Sequence, residues 1–174
     1  MNHGELLFSG YRFRVERAVQ TMPDGTEHPR DVVRHPGAVV VLPILDDGRV
    51  CLVKNYRVAV DETLIELPAG TLEPDEDPAT TARRELAEET GYRAGQIEHL
   101  ADFYMSPGIL DEEMHLFLAT SLQAGNTALE PGEEIQTMLS TRQEAIEMVR
   151  DGRIHDSKTM LGLLYHEFFH GARG

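Results

Sequence analysis

Apolar runs dominate the first part of the chain and predict β-strands. Residues 11–35 alternate around the turn signal "PDG", which indicates a hairpin. The run "GAVVVLPIL" at 37–45 is short, continuous and β-branched, which is typical of a buried strand. The turn "DDG" joins it to a returning strand, "RVCLVKNY" at 49–56. A further short strand is predicted for "TLIELPAG" at 63–70, where its proline and glycine end it.

A helix is predicted next, with signals at both of its ends. Asp77 can cap its N-terminus, Pro78 suits its first turn, and Gly91 suits its end. The segments "HLADFYM" at 99–105 and "EMHLFLATSL" at 113–122 then predict two strands around the loop "SPGILDE".

The last third of the chain is mainly helical in pattern. Thr141 and Glu144 form a capping-box pattern before "AIEMVRDG". Ser157 can cap a final helix, "KTMLGLLYHEFFH". Because strands come first and helices are interspersed and terminal, the order predicts a single α+β domain with a mixed sheet.

The charge distribution narrows the choice of partners. The chain carries 16 Lys/Arg and 30 Asp/Glu, a formal net charge of −14. Nucleic acid and anionic membranes are therefore poor default partners. Residues 1–60 hold eight Lys/Arg and seven Asp/Glu, whereas residues 61–174 hold eight and 23. This division suggests an acidic part that holds cations beside an arginine-bearing part that holds anions.

Targeting signals are also missing from the pattern. The start "MNHGELLFSG" has neither the cationic end nor the apolar core of a signal peptide. The longest apolar run, "AVVVLPIL", is too short to cross a bilayer. Cys51 is the single cysteine, so it has no internal disulfide partner, and its apolar surroundings predict a buried thiol. We therefore expect a cytoplasmic protein with no membrane partner.

The predicted helix at 78–90 carries three glutamates within five positions. On a helical wheel Glu85, Glu88 and Glu89 span about 100°, directly beside the apolar stripe that would face the core. Oxygen ligands clustered in this way suit a hard divalent cation, Mg²⁺ or Mn²⁺. A solvated acidic surface explains the spacing alone equally well.

A longer motif surrounds these glutamates. Residues 70–92 read "GTLEPDEDPATTARRELAEETGY" and match every fixed position of G-x5-E-x7-R-E-U-x-E-E-x-G-U, where U is bulky and apolar. The motif is the signature of the Nudix hydrolases, and the chain resembles that family over roughly residues 8 to 168. The resemblance implies an α/β/α sandwich with a loop–helix–loop motif, and divalent-metal hydrolysis of a nucleoside diphosphate linked to another moiety.

The resemblance also assigns roles by position. The implied metal ligands are the main-chain carbonyl of Ala69 and the side chains of Glu85, Glu88 and Glu89. Arg84 and Glu76 are implied to brace the loop rather than to touch substrate. Gly70 and Gly91 are implied to serve the backbone, one in a tight turn and the other at the helix end.

Segments outside the motif resemble the ADP-ribose pyrophosphatase branch of the family. They are "HPGAVVVLPILDDGRVCLVKNYR", "IELPAG" and "SPG", in which Pro107 lies fifteen residues after Tyr92. The branch implies hydrolysis of ADP-ribose to AMP and ribose 5-phosphate, with Pro107 and Gly108 at the substrate. Two alternatives stay open. One is a Nudix pyrophosphatase for GDP-mannose, another ADP-sugar or a dinucleotide; the other is a module that senses ADP-ribose without turnover.

The general base of such an enzyme often lies on a loop outside the signature. The candidate loop is "LEPGEEIQ", with Glu130, Glu133 and Glu134. Glu133 is the first choice because it precedes the predicted strand "IQTML". Glu130 and Glu134 stay open, and a solvated turn is the alternative.

Substrate-binding residues are implied before the signature. Arg30 and Arg57 fall where the branch places residues that grip phosphates and the terminal ribose, a task that suits bidentate guanidinium groups. Phe8, Tyr11 and Phe13 are available to sandwich the adenine, although core packing explains each equally well.

A homodimer is the implied assembly. Relatives usually exchange N-terminal strands, so that each site is built from both chains. We therefore divide the chain into an N-terminal strand extension at 1–36, expected to dimerise and bind substrate, and a Nudix hydrolase domain at 37–174.

A competing motif lies near the end of the chain. "HEFFH" at 166–170 matches the zinc-metalloprotease pattern H-E-x-x-H. Such a protease needs a third ligand, commonly downstream, and the following "GARG" supplies none. We interpret the motif as the end of an amphipathic helix. His35, His99 and His115 show no ligand spacing, and no role is assigned to them.

Overall fold

A computed structural model of the chain describes residues 4–129 and 134–170. The strands in these ranges are β1 Glu5–Ser9, β2 Arg14–Thr21, β3 Glu27–Arg34, β4 Ala38–Pro43, β5 Arg49–Arg57, β6 Glu62–Glu66, β7 Ala69–Thr71, β8 Tyr92–Tyr104, β9 Glu113–Ala124 and β10 Ile135–Thr141. The helices are α1 Pro78–Thr90, α2 Arg142–Arg150 and α3 Ser157–Tyr165, followed by a π-helical turn, His166–His170. Within the described ranges no helix is both long and apolar enough to span a membrane.

The central sheet has the strand order β7-β4-β9-β8. It is mixed, because β4 and β9 run parallel while its other pairs are antiparallel. Two further sheets have the orders β1-β2-β3 and β10-β5-β6. The predicted α+β class with a mixed sheet is therefore confirmed.

Helices cover both faces of the central sheet. Alternate residues of β4 point to opposite faces, as the period of a strand requires. Val39 and Val41 pack with Leu86 of α1, whereas Val40 and Leu42 share a cluster with Leu163 of α3. Both clusters are almost fully buried. This layering is the expected α/β/α sandwich.

The N-terminal strands form a sheet of their own. β2 and β3 pair over their full length around the predicted turn at Asp24 and Gly25. The end of β3 is tied to the rest of the molecule, because Val33 N donates to Ile109 O at 2.8 Å and Asp111 N donates to Val33 O at 3.1 Å. The strand extension exists as expected, whereas the boundary between residues 36 and 37 stays a prediction.

Two local predictions are wrong. The segment 63–70 is divided between β6 and β7, which belong to different sheets. Pro68 lies at the break, because proline has no N–H to continue a ladder. The cap of α3 is Asp156 rather than Ser157: the Asp156 carboxylate accepts from Thr159 N at 3.0 Å, and Ser157 is already the first helical residue.

Candidate active site

The two ends of α1 are fixed as the sequence predicted. The Asp77 side chain accepts hydrogen bonds from Ala79 N and Thr80 N, which satisfies amides that lack a partner in the first turn. Gly91 ends the helix at φ 75°, and its N–H donates to Ala87 O at 3.0 Å. The helix therefore has a fixed start, length and rotation relative to the sheet.

That rotation places the acidic stripe of α1 at the edge of the core. Leu86 is fully buried, and Glu89 on the adjacent stripe is only 5% exposed. Ala69 N of β7 donates to Glu89 Oε2 at 3.2 Å. The stripe is thus folded against β7 rather than spread over a solvated surface.

Gly70 makes the close approach of α1 to β7 possible. It lies inside β7, so the expected tight turn is not its role. A Cβ at this position would overlap the carboxylate of Glu85. Only glycine therefore allows Glu85 to lie directly on the β7 backbone.

Arg84 connects the carboxylates of the motif. Its guanidinium donates to both oxygens of Glu76, at 3.2 and 3.0 Å, and to Glu85 and Glu88, at 2.8 and 3.0 Å. The hydrogen bond to Glu76 is the main reason why the pKa of Arg84 is raised, and the Arg84 bond in turn lowers the pKa of Glu76. Arg84 thereby braces the loop before α1 and orients two of the predicted metal ligands.

A cleft of about 370 Å³ opens over this surface. Its lining includes the predicted residues Arg57, Ala69, Glu85, Glu88 and Glu89, together with Tyr11, Arg12 and Asn55. The structure therefore brings one predicted arginine and all four predicted metal ligands to one place. Of the three aromatic candidates for adenine, Tyr11 is the one that lines the cleft. Arg12 and Asn55 were missed: Arg12 belongs to no motif, and Asn55 lies in a branch segment in which only Arg57 was assigned a role.

Arg57 is anchored by a buried carboxylate. Its Nε and Nη2 atoms donate to the two oxygens of Glu66, at 2.8 and 2.6 Å, and Glu66 is only 1% exposed. Lys158 Nζ lies 2.7 Å from Glu66 and 2.9 Å from Asp156. Burial acts to raise the pKa of Glu66, but the hydrogen bond from Arg57 and the charge of Lys158 outweigh it, so the pKa is lowered.

The other predicted substrate-binding residues do not line the cleft of their own chain. Arg30 lies exposed on β3, where its Nε donates to Gln20 Oε1 at 3.0 Å. Pro107 and Gly108 lie exposed in the turn between β8 and β9. Their roles stay predictions.

The predicted base loop begins and resumes beside the cleft. Glu130 and Glu133 lie outside the described residues, whereas Glu134 is exposed. Before the gap, Ala128 N donates to Glu88 O of α1 at 2.9 Å. After it, Ile135 pairs with the cleft residue Asn55. Both ends of the loop are therefore anchored to elements that carry cleft residues.

The competing "HEFFH" motif forms the terminal π-helical turn. The rings of His166 and His170 stack with centroids 6.1 Å apart, and Glu167 lies 3.1 Å from Arg142. Burial lowers the pKa of His166. The motif thus lies beside α2 and separate from the carboxylate cleft.

The donor set of the cleft fits a divalent cation. All its candidate ligands are oxygens, which hard ions such as Mg²⁺ and Mn²⁺ prefer. The close approach at Gly70 and the partial burial of Glu85 and Glu89 hold these oxygens in a confined space. The cleft therefore combines helical carboxylates, whose oxygens are the donors that divalent cations prefer, with the guanidinium groups of Arg12 and Arg57.

Comparison with known proteins identifies the family. The sequence model of the NUDIX domain matches residues 33–160. The chain belongs to the NUDIX family, as its signature predicted. The solved structure described as "Crystal structure of ADP compounds hydrolase" superposes with a TM-score of 0.85, covering 98% of this chain and 92% of that one at 19% identity. The Nudix fold is thereby confirmed.

Three curated relatives are similar over most of the chain. The methanol dehydrogenase activator of Bacillus methanolicus is 39% identical over 92% of this chain and 88% of its own. The ADP-ribose pyrophosphatase of Bacillus subtilis is 38% identical with the same coverages, 92% and 88%. A GDP-mannose pyrophosphatase of Salmonella typhimurium is 38% identical over 82% of this chain and 80% of its own.

Proposed function

We propose that this protein is a Nudix hydrolase that cleaves the pyrophosphate of ADP-ribose to AMP and ribose 5-phosphate with the help of Mg²⁺ or Mn²⁺. One observation carries the proposal: a single cleft joins the carboxylates of α1 to Arg57 and Arg12. Carboxylates alone would repel a pyrophosphate. The combination of cation ligands with arginines suits a substrate that carries two phosphates.

Ala69, through its carbonyl, and Glu85, Glu88 and Glu89 would hold the cation. A divalent ion there would neutralise the charge of the pyrophosphate, and it would bind a water molecule that loses its proton readily. Arg84 orients Glu85 and Glu88 from the side, and Glu76 fixes Arg84. The ligands are thus positioned by the fold before substrate binds.

Arg57 would bind a phosphate. A guanidinium carries more N–H donors than the two that Glu66 engages, so donors remain for substrate oxygens. Glu66 also fixes the plane of the group, which lowers the entropy lost on binding. Tyr11 and Arg12, which line the cleft from the loop between β1 and β2, would contact the nucleoside part.

A carboxylate of the loop after β9 would accept the proton of the attacking water. The candidates are Glu130, Glu133 and Glu134, of which Glu133 is preferred. Support comes from the described residues on either side of the loop, Ala128 and Ile135, which are anchored to elements that carry cleft residues. Single replacements of the three by glutamine should separate them, because only loss of the base should remove the acidic limb from the pH dependence of kcat.

The choice of ADP-ribose rests on the branch segments and on the coverage of the Bacillus subtilis relative, which includes more of this chain than the GDP-mannose relative does. A panel of ADP-ribose, GDP-mannose, other ADP-sugars and dinucleotides, each with Mg²⁺, tests it directly. Fastest release of AMP from ADP-ribose supports the proposal. Faster cleavage of GDP-mannose would show that GDP-mannose is the preferred substrate. Binding of ADP-ribose without formation of products would indicate a sensor.

A homodimer with exchanged N-terminal strands completes the proposal. Support comes from the apolar residues that the β1–β3 sheet and its turn expose, among them Leu6, Phe8, Tyr11, Phe13 and Val19. Exchange would also bring Arg30 of one chain toward the cleft of the other. The cytoplasmic setting stays a prediction.

Mixing two inactive variants tests whether sites are shared. In a dimer whose sites use Arg30 from the other chain, Glu89→Gln and Arg30→Ala protomers form heterodimers with one intact site. Random exchange should then restore about a quarter of the sites, as expected for two-fold symmetry. If each site uses residues of a single chain, the mixture stays inactive. Light scattering on each variant provides the oligomeric state.

A further inference from the structure

The β8–β9 hairpin carries a cluster of two histidines and an aspartate. His99 Nε2 and His115 Nδ1 lie 2.7 and 2.6 Å from the same oxygen, Asp102 Oδ1. One ligand atom from each residue lies within 4.8 Å of the other two. In the sequence, His99 and His115 show no ligand spacing. They are brought together by the fold.

A β-bulge produces this arrangement. In a regular strand, residues 99 and 102 point to opposite faces, because side chains alternate. The register of β8 on β9 shifts between His99 and Ala101. One inserted residue reverses the alternation beyond it, so that Asp102 joins the face of His99. Asp102 then pairs directly with His115 across the hairpin.

The donor set differs chemically from that of the cleft. Two imidazole nitrogens and one carboxylate oxygen suit borderline transition-metal ions, of which Zn²⁺ is the best match to three protein ligands plus water. His99 and Asp102 are about half exposed, so an ion and its water can reach them. The side chain of His115, on β9, is 19% exposed.

We propose that His99, Asp102 and His115 form a Zn²⁺ site on the β8–β9 hairpin, separate from the Mg²⁺ or Mn²⁺ cleft. Tetrahedral bonds of about 2.0 Å place ligand atoms about 3.3 Å apart. The two histidine–aspartate contacts therefore need to open by less than about 1 Å, which partly exposed side chains achieve by small rotations. The His99 ring packs edge-on against Phe117, with centroids 5.4 Å apart, which limits its other orientations.

Zn²⁺ at this position would link two strands just before the hairpin loop. Asp102 lies on β8 and His115 on β9, and the loop between these strands hydrogen-bonds to β3 through Ile109 and Asp111. The site would thus stabilise the hairpin on which Pro107 and Gly108 lie. The inference does not depend on which substrate the cleft binds.

Titration of tag-free protein with Zn²⁺ tests the proposal. Excess Mg²⁺ occupies the cleft, and competition with a chromophoric chelator reports affinity and stoichiometry. We expect one equivalent of Zn²⁺ to bind to the wild type and also to a Glu85→Gln/Glu89→Gln variant, which lacks two of the cleft ligands. His115→Ala should lower the Zn²⁺ affinity by at least about tenfold, because removal of a ligand costs no less affinity than loss of an outer-shell partner.

Two further variants make the result decisive. His99→Ala removes a more exposed ligand and should weaken Zn²⁺ binding even if His115→Ala fails to fold. His155→Ala removes an exposed imidazole that contacts Glu62 instead, and should bind as the wild type does. Unchanged Zn²⁺ affinity in both His99→Ala and His115→Ala would overturn the proposal. Loss of the equivalent only in a His166→Ala/His170→Ala variant would also overturn it.

Thermal unfolding gives an independent measurement. Zn²⁺ that binds the folded hairpin alone should raise the Tm of the wild type in excess Mg²⁺. The increase should disappear in His99→Ala and persist in His155→Ala. An equal increase in all three proteins would show that Zn²⁺ acts elsewhere.

Discussion

Two charged clusters contribute residues to one cleft and differ in their balance of charge. The first, here called the cleft cluster, contains Glu76, Arg84, Glu85, Glu88 and Glu89. The second, called the buried quartet, contains Arg57, Glu66, Asp156 and Lys158. The cleft cluster has four carboxylates and one arginine, which pairs with Glu76, Glu85 and Glu88, whereas the quartet pairs two carboxylates with two cations.

A cluster with excess negative charge suits cation binding, whereas a cluster with balanced charge suits a structural role. The carboxylate of Glu66 is almost completely buried, and burial of a charge is tolerated only when partners compensate it. The quartet meets this requirement with protein groups. The cleft cluster keeps an excess of negative charge close together, which divalent cations would neutralise. Removing one carboxylate should therefore have opposite consequences in the two clusters.

Replacement of Glu89 by glutamine should have the largest effect on activity. Loss of a metal ligand is expected to reduce turnover by about 100-fold or more, since even outer-shell changes cost 10–100-fold. Stability should hold or rise, because one repelling charge is removed. Pyrophosphatase assays and denaturant unfolding measure the two effects, with the exposed Glu98→Gln as control. Near-normal turnover would show that the cluster is not the cation site.

Replacement of Glu66 by glutamine should have the largest effect on stability. Arg57 and Lys158 would lose a buried partner, at a cost of about 3 kcal/mol in the free energy of unfolding. KM for the substrate should rise as well, because the guanidinium of Arg57 is no longer held. Urea unfolding and steady-state kinetics measure both. Glu62→Gln, an exposed change on the same strand, is the matched control, and equal stabilities would refute a structural role for the quartet.

Mg²⁺ should stabilise the protein through the cleft cluster. At about 100 times its dissociation constant an ion adds about 2.7 kcal/mol, which corresponds to roughly 5–10 °C in Tm for a chain of this size. Calorimetry with and without Mg²⁺ tests this. The increase should vanish in a Glu85→Gln/Glu88→Gln variant and remain in Lys158→Met. An increase that survives loss of both glutamates would place the ion elsewhere.

The contribution of the quartet to the free energy of unfolding should fall in acid. The pKa of folded Glu66 lies below its ordinary value of 4.5. A lowered pKa contributes stability that is complete above pH 4.5 and is lost as the pH falls through the folded value. The difference in stability between wild type and Glu66→Gln should therefore shrink below pH 4.5 and stay constant above it. If the difference in stability instead grew in acid, the pKa of folded Glu66 would not be lowered.

Replacement of His166 and His170 by alanine should have the smallest effect on activity. The π-helical turn lies apart from both clusters, so turnover should stay close to that of the wild type. Stability should change by only about 1 kcal/mol, mainly through lost packing of the partly buried His166. Loss of activity comparable with that of Glu89→Gln would revive a catalytic role for the "HEFFH" motif.

The sequence revealed those parts of the site that are local. Glu85, Glu88 and Glu89 repeat with the period of a helix, and Asp77 and Gly91 mark its ends, so the carboxylate stripe was predictable from a single segment. The signature also indicated family and fold, both confirmed. The role of Gly70 was predicted incorrectly, because the need for glycine arises from Glu85, which approaches from another element.

Non-local parts of the site were predictable only in part. Arg57 was placed by resemblance, but its anchoring depends on Glu66 and on Lys158, which is distant in sequence. Arg12 and Asn55 reach the cleft from a loop and a strand, and no role was predicted for either residue. Arg30, Pro107 and Gly108 do not line the cleft of their own chain, and their roles stay predictions.

The amino-acid sequence by itself determined the carboxylate helix, its caps, the strand pattern and the family, because each depends on residues close together in the chain. Tertiary structure decided which distant groups meet. Sheet pairing brings Asp102 to His115, and a single β-bulge adds His99 to the same face. Packing of α3 against β6 joins Lys158 to Glu66 and so fixes Arg57. Such contacts follow from strand register and helix packing, which no local pattern encodes.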